Sequence, residues 1–297
     1  MASLTFDIGG TASKVIVFEE GSERTSYQIP TRASLGISYL KEDIFSEIEK
    51  NIKKYDVKNI GISTAGIVDS NTGRIEEVGG AFKDYVGFSW TDEIKKVFDI
   101  DAVVENDVKC AGLGEYYYGS NKKYESMYVL TIGTGIGGCF IDQGKIYRGH
   151  FATAGEIGYI PREDSNIGAL ASTSGLIRRA NKLYPEKGFS DGKEIFDAYL
   201  AKDPEATALV NYLIQAIAEL IGSIILILEP EVILVGGAIS AQEDALLDPI
   251  KEILKREIPK KVYENVNIKT TSLGNKASCY GAYALAQRKG AVAKVLI

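Results

Sequence analysis

Two glycine-rich turns occur in the same context at two places in the chain. The first is DIGGT at Asp7–Thr11, and the second is TIGTG at Thr131–Gly135, which begins 124 residues later. Each turn lies between two apolar runs rich in β-branched and aromatic residues, so each predicts a strand, a tight turn and a second strand. Glycines at such a turn bring backbone N–H groups close to a ligand oxygen, and phosphate is the typical ligand.

One such turn alone is better explained by an ordinary hairpin. Two turns in matching strand context instead predict a duplicated α/β architecture, in which two similar domains face each other across a phosphate-binding cleft. The 297 residues suffice for two domains of roughly 100 to 200 residues each. We place the junction in the polar stretch 116–125. We expect an N-terminal α/β domain over residues 1–118 and a larger C-terminal α/β domain over residues 119–280.

The composition narrows the class of protein. A formal net charge of −6 argues against a nucleic-acid-binding surface, which needs clustered Lys and Arg, and favours a small-molecule ligand. The three cysteines, Cys110, Cys139 and Cys279, are far apart and show no CxxC spacing, so neither a disulfide framework nor a thiolate metal site is predicted. We expect a cytoplasmic protein, because no signal-like segment precedes the first strand.

One segment, residues 206–228, is long and apolar enough to raise the question of a membrane span. Asn211, Gln215, Glu219 and Ser223 recur every four residues along it. At 3.6 residues per turn these side chains form one polar stripe, and a Glu near the middle of a helix is costly in lipid. The segment therefore predicts a long core helix, and no membrane association is expected.

Seven motifs follow one another along the chain: DIGGT, TAGIVD, VEND, TIGTGIGG, TAGEIGY, VGGAI and the closing GAY helix. Together they resemble the sugar kinases of the ROK family, and the resemblance covers nearly the whole chain. It implies the actin-like ATPase fold, which is ribonuclease H-like, with ATP and sugar bound between two domains and with a homodimer as the usual assembly. We also expect the C-terminal helix, residues 281–297, to pack back on the N-terminal domain.

Phosphoryl transfer needs hydrogen-bond donors around the phosphates, a Mg²⁺ site and a base for the attacking hydroxyl. Asp7, at the end of its strand, is expected to hold Mg²⁺ directly or through water, although a hairpin cap would also explain it. An ordinary strand-end turn is the alternative for the glycine pair of VGGAI. The residues expected to bind ATP are Gly9, Gly10, Thr11, Lys14, Gly133, Thr134, Gly135, Gly137, Gly236 and Gly237.

Asp107 in VENDVK ends a predicted strand and begins a predicted helix. On position alone it is an N-cap carboxylate that accepts hydrogen bonds from turn amides. The resemblance to the ROK kinases implies that Asp107 is the catalytic base, which accepts the proton of the sugar hydroxyl. The two roles are compatible, because a carboxylate on a rigid strand end is well placed to accept that proton.

The same resemblance implies that Asn106 and Glu156 hydrogen-bond the sugar hydroxyls. Without the resemblance, Asn106 would be a turn residue and Glu156 a solvated surface charge. Gly66 in TAGIV and Gly80 in the GGAF stretch, residues 79–82, are expected to line the same pocket. Polar groups matched to sugar hydroxyls discriminate strongly between sugars, because the wrong sugar leaves them unpaired.

The chain departs from the family pattern at Tyr159, where many ROK relatives have a histidine followed by the zinc motif CxCGxxGCxE. No cysteine occurs in this region, and the single histidine, His150, cannot form a structural zinc site without thiolates. We therefore predict no zinc, and His150 is expected to be a loop residue. Tyr159 is expected to contact the sugar, where its ring could stack on a second sugar ring.

Within the family, TAGEIGY without the cysteines, together with GGAF, most resembles the β-glucoside kinases. This resemblance implies phosphorylation of the 6-hydroxyl of the non-reducing glucose in cellobiose and similar β-glucosides. An N-acetylmannosamine, glucose or fructose kinase is the alternative. A sugar-responsive repressor of the family would carry a helix-turn-helix domain before the first glycine turn, for which the position of Asp7 leaves no room, so a non-catalytic regulator is less favoured.

Overall fold

The computed structural model describes residues 1–80, 82–120, 124–162 and 165–292. Its contacts divide the chain into two compact units. The first unit consists of Met1–Lys122, Arg148–Thr153 and Asn275–Ile297, and the second consists of Lys123–Tyr147 and Ala154–Gly274. The first unit therefore contains the N-terminal residues, the C-terminal segment and one short segment from the middle of the chain.

The helices and strands of the first unit are β1 (Ala2–Ile8), β2 (Ala12–Glu19), β3 (Ser22–Pro30), α1 (Ile37–Ile52), β4 (Val57–Thr64), β5 (Ile67–Asp69), β6 (Arg74–Glu77), α2 (Trp90–Phe98), β7 (Asp101–Asn106), α3 (Asp107–Tyr118) and α10 (Ala277–Val292). Those of the second unit are β8 (Ser126–Ile132), β9 (Ile136–Asp142), β10 (Lys145–Ile146), β11 (Pro161–Arg162), β12 (Ser165–Asn166), α4 (Ile167–Ala171), α5 (Thr173–Leu183), α6 (Gly192–Leu200), α7 (Pro204–Leu228), β13 (Val232–Gly236), α8 (Asp244–Glu257), α9 (Lys260–Tyr263) and β14 (Asn267–Thr270).

The central sheet of the first unit has the strand order β3-β2-β1-β4-β7. Strand β2 is antiparallel to β1 and β3, whereas β1, β4 and β7 run parallel to one another. Side chains alternate between the two faces of each strand. On one face Leu4, Phe6 and Ile8 pack with apolar residues of α1 and α2, and the other face contacts α3 and α10.

The central sheet of the second unit has the strand order β10-β9-β8-β13-β14. Strand β9 is antiparallel to β8 and β10, whereas β8, β13 and β14 are parallel. Order and direction are the same as in the first unit. Each glycine turn joins the central strand to its antiparallel neighbour, which confirms the duplicated α/β architecture predicted from the two turns.

Helix α7 is the apolar segment that raised the question of a membrane span, and among the described residues it is the one helix long and apolar enough to cross a membrane. It lies in the core of the second unit, where Leu213, Ile217 and Ile221 are buried. Asn211 and Glu219 are exposed, and the Ser223 hydroxyl donates to the Glu219 carbonyl at 2.8 Å. The predicted polar stripe is therefore the solvent-facing edge of a core helix.

The expected C-terminal helix lies within α10 as far as Val292. Residues 293–297 lie outside the described part of the chain, as do residues 121–123 of the predicted junction and Ala81 of the GGAF stretch.

Helix α10 packs very closely against α3 and β4 of the same unit, because small residues line these contacts. A Cβ atom at Gly281 would lie 1.7 Å from the Cys110 carbonyl oxygen of α3, and one at Gly114 of α3 would lie 2.1 Å from the Ala277 carbonyl oxygen. A Cβ atom at Gly61 of β4 would lie 2.4 Å from the Ala282 carbonyl oxygen. Glycine at these positions lets the backbones of α10, α3 and β4 approach one another.

We predict that Gly281→Ala destabilises the protein by about 1–3 kcal/mol, because its methyl group meets a backbone carbonyl that cannot move away. The loss should occur although Ala favours helix over Gly by about 1 kcal/mol. Urea denaturation followed by circular dichroism measures it. Gly222→Ala in α7 is the matched control, since its Cβ would first meet the flexible Leu254 side chain at 3.3 Å. Equal unfolding midpoints for the two variants would contradict the prediction.

Candidate active site

The first glycine turn joins β1 to β2 as a tight hairpin. Asp7 and Lys14 are directly opposed in the antiparallel pair. The Gly9 amide donates to the Ala12 carbonyl at 3.2 Å, and a Cβ atom at Gly9 would lie 2.7 Å from that oxygen. Gly10 and Thr11 lie at the tip, where Thr11 is exposed. The turn therefore needs glycine at position 9 for its own geometry, and it presents residues 10 and 11 to solvent.

Asp7 is held by its neighbour on β4, because the Ser63 hydroxyl donates to Asp7 Oδ1 at 2.8 Å. Burial raises the pKa of Asp7, and the Ser63 hydrogen bond and the Lys14 charge oppose that rise. Lys14 is buried, and its Nζ donates to the Asn275 carbonyl oxygen. Burial lowers the pKa of Lys14, and the Asp7 charge opposes that change. Lys14, expected to contact phosphate, is thus partly engaged within the protein.

The donor set around Asp7 fits a magnesium ion. Within the described ranges, no cluster of three His, Cys, Asp or Glu side chains could hold a metal. Mg²⁺ does not require such a cluster, because it keeps several waters and commonly binds one carboxylate together with substrate phosphates. A partly desolvated carboxylate also gains from a nearby cation. Asp7 would hold Mg²⁺ in this way.

Asn106 is the N-cap of α3. Its Oδ1 accepts from the amides of Val108 at 3.0 Å and Lys109 at 3.1 Å. Its Nδ2 donates to the Gly66 carbonyl at 3.0 Å and to Asp107 Oδ1 at 2.9 Å. These four hydrogen bonds use both acceptor positions and both donor hydrogens of the amide. A hydrogen bond to a sugar hydroxyl would have to share or replace one of them.

Asp107 is the first residue of α3, and the N-cap position that we considered for it belongs to Asn106. The reason is that the β7 backbone remains extended through Asn106 and becomes helical only at Asp107. Asp107 Oδ1 accepts from Asn106 Nδ2 and from the Val108 amide, both at 2.9 Å. Two donors on one oxygen fix the orientation of the carboxylate.

The first unit brings Asp7 and Asp107 into one neighbourhood. Asp7, Ser63 and Glu105 lie in one row across the parallel strands β1, β4 and β7. Burial raises the pKa of the Cys110 thiol, and the charges of Glu105, Asp7 and Asp107 raise it further. The thiol therefore lies within electrostatic reach of both candidate carboxylates.

Three charged residues beside this site were not predicted. Glu105 is fully buried. Its Oε2 accepts from Arg148 Nε at 2.7 Å, and its Oε1 accepts from the backbone N–H of Asn106 at 3.0 Å. Lys109, only 1% exposed, donates from Nζ to the Ala152 carbonyl at 2.8 Å. A charged residue inside the apolar run AVVEN was the available signal for Glu105, since such a residue needs a partner. Nothing local identifies Arg148 as that partner.

Gly66 and Gly80 also lie in the first unit. Gly66 has φ +100°, and a Cβ atom there would lie 2.4 Å from the Glu77 carbonyl oxygen, so a left-handed backbone and close contact with β6 both require glycine. Gly80 has φ +72° and is exposed, and a Cβ atom there would have no neighbour within 4 Å. Contact of either glycine with a sugar stays a prediction.

The second unit brings together the second glycine turn and the glycine pair of VGGAI. Gly236 is in register with Thr131, and a Cβ atom at Gly237 would lie 2.3 Å from the Ile132 carbonyl oxygen. By contrast, a Cβ atom at Gly133 or Gly135 would have no neighbour within 4 Å. Packing within the unit thus explains Gly237. The half-buried Gly133 donates its amide to the Gly135 carbonyl at 2.9 Å, whereas Gly135 is exposed and its backbone suits a ligand such as phosphate.

The sequence segment with Glu156 and Tyr159 packs on β9, the strand that follows the second turn and contains Gly137. The Gly138 amide donates to the Gly155 carbonyl at 2.8 Å, and a Cβ atom at Gly155 would lie 2.0 Å from the Gly138 carbonyl oxygen. Glu156 is half-buried, whereas Tyr159 is 68% exposed. Close packing of Gly155 therefore fixes the backbone that presents these two side chains.

The family model of the ROK family matches residues 3–289 of the chain. An uncharacterized protein of Clostridium perfringens is 35% identical over 282 residues, which cover 93% of this chain and 95% of the relative. A glucokinase of Halalkalibacterium halodurans is 28% identical, with 93% and 92% covered. A beta-glucoside kinase of Listeria innocua is 29% identical, with 95% and 96% covered.

Solved structures with the same fold include two ROK proteins bound to sugars. A glucokinase from Streptomyces griseus, in complex with glucose and AMPPNP, has a TM-score of 0.82 at 25% identity and covers 97% of this chain and 100% of its own. A ROK family protein from Streptococcus pneumoniae, in complex with sucrose, has a TM-score of 0.85 at 26% identity, with 98% and 100% covered. Sequence and fold together show that the chain belongs to the ROK family of sugar kinases and has their actin-like ATPase fold.

Proposed function

We propose that the protein is an ATP-dependent sugar kinase in which Asp107 is the catalytic base. The observation that carries this proposal is the fixed carboxylate of Asp107, whose Oδ1 accepts two hydrogen bonds at the start of α3. It lies at the same edge of the sheet as Asp7. The glucokinase relative and the AMPPNP complex of the Streptomyces griseus glucokinase support ATP as the phosphoryl donor.

In the proposed reaction, Asp107 accepts the proton of a sugar hydroxyl while that oxygen bonds to the γ-phosphorus of ATP. The bond between the γ-phosphorus and the β,γ-bridging oxygen breaks, and ADP and a sugar phosphate are the products. Backbone amides of Gly10, Thr11 and Gly135 would hydrogen-bond the phosphates, whereas the Gly133 amide donates to the Gly135 carbonyl and would have to leave it to do the same. Asp7 would hold Mg²⁺, and the ion would supply positive charge near the phosphate oxygens.

For the sugar, we propose the 6-hydroxyl of the non-reducing glucose of a β-glucoside such as cellobiose. The beta-glucoside kinase of Listeria innocua, at 29% identity over nearly the whole chain, supports this substrate. The Streptococcus pneumoniae protein, which has the same fold and is in complex with sucrose, supports a disaccharide as substrate. Glu156 and Tyr159 would contact the sugar, and the exposed Tyr159 ring provides a flat apolar face.

A monosaccharide kinase is the alternative within the family, acting on glucose, N-acetylmannosamine or fructose. The glucokinase of Halalkalibacterium halodurans favours it, at 28% identity. We further propose that the protein is a cytoplasmic homodimer. We also propose that it holds no structural zinc, because the region around Tyr159 has no cysteine to supply thiolate ligands.

We predict that Asp107→Asn lowers kcat by roughly 10²- to 10⁴-fold while the Kd for ATP stays nearly unchanged, because the amide cannot accept the proton. Coupled ADP-release assays give kcat, and calorimetry gives the ATP affinity. Asp244→Asn is the matched control, since Asp244 is also the first residue of its helix, α8. A fully active Asp107→Asn enzyme would exclude Asp107 as the base.

We predict that Asn106→Ala lowers kcat as well, because Asp107 loses the donor that orients its Oδ1. The variant should also lose about 1–2 kcal/mol of stability as the α3 cap is removed. Ser89→Ala removes the cap of α2, whose hydroxyl accepts from the Asp92 amide at 3.2 Å, and should lose stability without loss of kcat. If both variants keep wild-type kcat, Asn106 does not position Asp107.

The substrate assignment is tested with MgATP and a panel of cellobiose, glucose, N-acetylmannosamine and fructose. We expect the highest kcat/KM with cellobiose, and NMR of the product should place the phosphate on the 6-oxygen of the non-reducing ring. A monosaccharide with the higher kcat/KM would favour the alternative. Absence of ADP release with every sugar would contradict the kinase assignment itself.

A further inference from the structure

A cavity of about 540 Å³ lies within the first unit, between the β5–β6 hairpin and the segment Arg148–Thr153. Its volume is within the range of roughly 300–1,000 Å³ that is typical of small-molecule sites. Ile67 and Asp69 line it from the hairpin, and His150 and Phe151 line it from the segment. Neither Asn106 nor Asp107 is among its lining residues, so the cavity is separate from the candidate active site.

The hairpin presents carboxylates to the cavity. Val68 and Ile75 are paired and buried, so Ile67 and Asp69 project on the other face. Ile75 pairs with Val68 and Glu77 pairs with Ile67, so Glu76 is the extra residue of a bulge. Both Glu76 and Glu77 line the cavity. The Thr72 hydroxyl and the Asn71 amide lower the pKa of Asp69, which keeps that group ionised at neutral pH. Three carboxylates therefore face this space.

The segment on the other side is held at both ends by contacts with β7 and α3, the strand and helix that meet at Asp107. Arg148 pairs with the buried Glu105 at the end of β7, and Lys109 in the first turn of α3 donates to the Ala152 carbonyl. Ala152 has φ +60°, a left-handed conformation that costs about 1–2 kcal/mol in a non-glycine residue. These contacts hold the backbone between Arg148 and Ala152 in one conformation.

Phe151 lies between these two anchors and is 76% exposed. Its ring contacts the His150 ring edge-on, with centroids 4.4 Å apart. A single exposed apolar side chain is common on protein surfaces, but this one lines a cavity and stands on a backbone held at both ends. An aromatic face opposite carboxylate acceptors suits a sugar ring, whose C–H face is apolar and whose hydroxyls are donors. The carboxylates disfavour an anionic ligand, since Arg148 is already paired with Glu105.

The cavity begins one residue away from the candidate active site. Gly66, whose carbonyl accepts from Asn106 Nδ2, is followed directly by Ile67, so the two Cα atoms are about 3.8 Å apart. We infer that this cavity binds the second sugar ring of a β-glucoside whose first ring is phosphorylated at Asp107, with Phe151 as the stacking face. The inference rests on the proposed β-glucoside kinase function and adds the residues that select a disaccharide.

The test compares cellobiose with methyl β-glucoside, which has the same first ring and no second ring. Phe151→Ala should raise KM for cellobiose about three- to tenfold, the scale of one aromatic contact, and leave KM for methyl β-glucoside unchanged. Phe151→Tyr should keep the wild-type ratio of the two KM values. Val97→Ala, which removes an exposed apolar side chain from α2, controls for loss of apolar surface elsewhere.

Calorimetric titration of the same variants with cellobiose gives a readout independent of turnover, and weaker binding is expected for Phe151→Ala alone. If the wild-type enzyme phosphorylates cellobiose and Phe151→Ala changes neither its KM nor its Kd, the second-ring site is wrong and the β-glucoside function stands. If the wild-type enzyme does not phosphorylate cellobiose, both assignments fall. An equal rise in KM for both sugars would show that Phe151 supports the first ring, which also overturns the inference.

Discussion

The four hydrogen bonds of the Asn106 side chain join the end of β7 to the start of α3 and to the turn after β4. They cap α3, bind the Gly66 carbonyl that follows β4 and orient Asp107. A primary amide has two donor hydrogens and two acceptor positions, so one side chain can make all four hydrogen bonds. The Gly66 carbonyl is within reach because the parallel strands β4 and β7 end side by side. The position of the proposed base thus depends on the register between β4 and β7, which pairs Thr64 with Asn106.

The buried carboxylate of Glu105 adds a second constraint at the same edge. A buried charge without a partner is strongly destabilising, and Arg148 supplies that partner. This ion pair joins the segment Arg148–Thr153 to the first unit, although the residues on either side of the segment belong to the second. The same segment carries Phe151, so the ion pair that satisfies Glu105 also fixes the wall of the proposed second-ring site.

The duplicated sheets share topology but not chemistry. Asp7 opposes Lys14 at the first turn, whereas the corresponding Thr131 opposes Gly137 at the second. The first turn therefore has a carboxylate suited to Mg²⁺, and the second has glycines whose missing Cβ atoms leave open space. This difference supports separate roles for the two copies, with the proposed metal site and base on the first unit only and the proposed phosphate contacts on both.

The two glycine turns and the order of the motifs determined the fold class and the duplication, and the apolar segment 206–228 with its polar stripe determined the core helix α7. Strand and helix periodicity are local properties of the sequence. The sequence also indicated Asp7, Asn106 and Asp107. It did not indicate that Asn106 rather than Asp107 caps α3, nor that Lys14 donates to Asn275, which is 261 residues away. The tertiary structure likewise decided that Glu105 pairs with Arg148 and that Lys109 donates to Ala152. Each of these contacts joins residues whose distance depends on strand register and on how the chain returns to the first unit, and no local pattern encodes either.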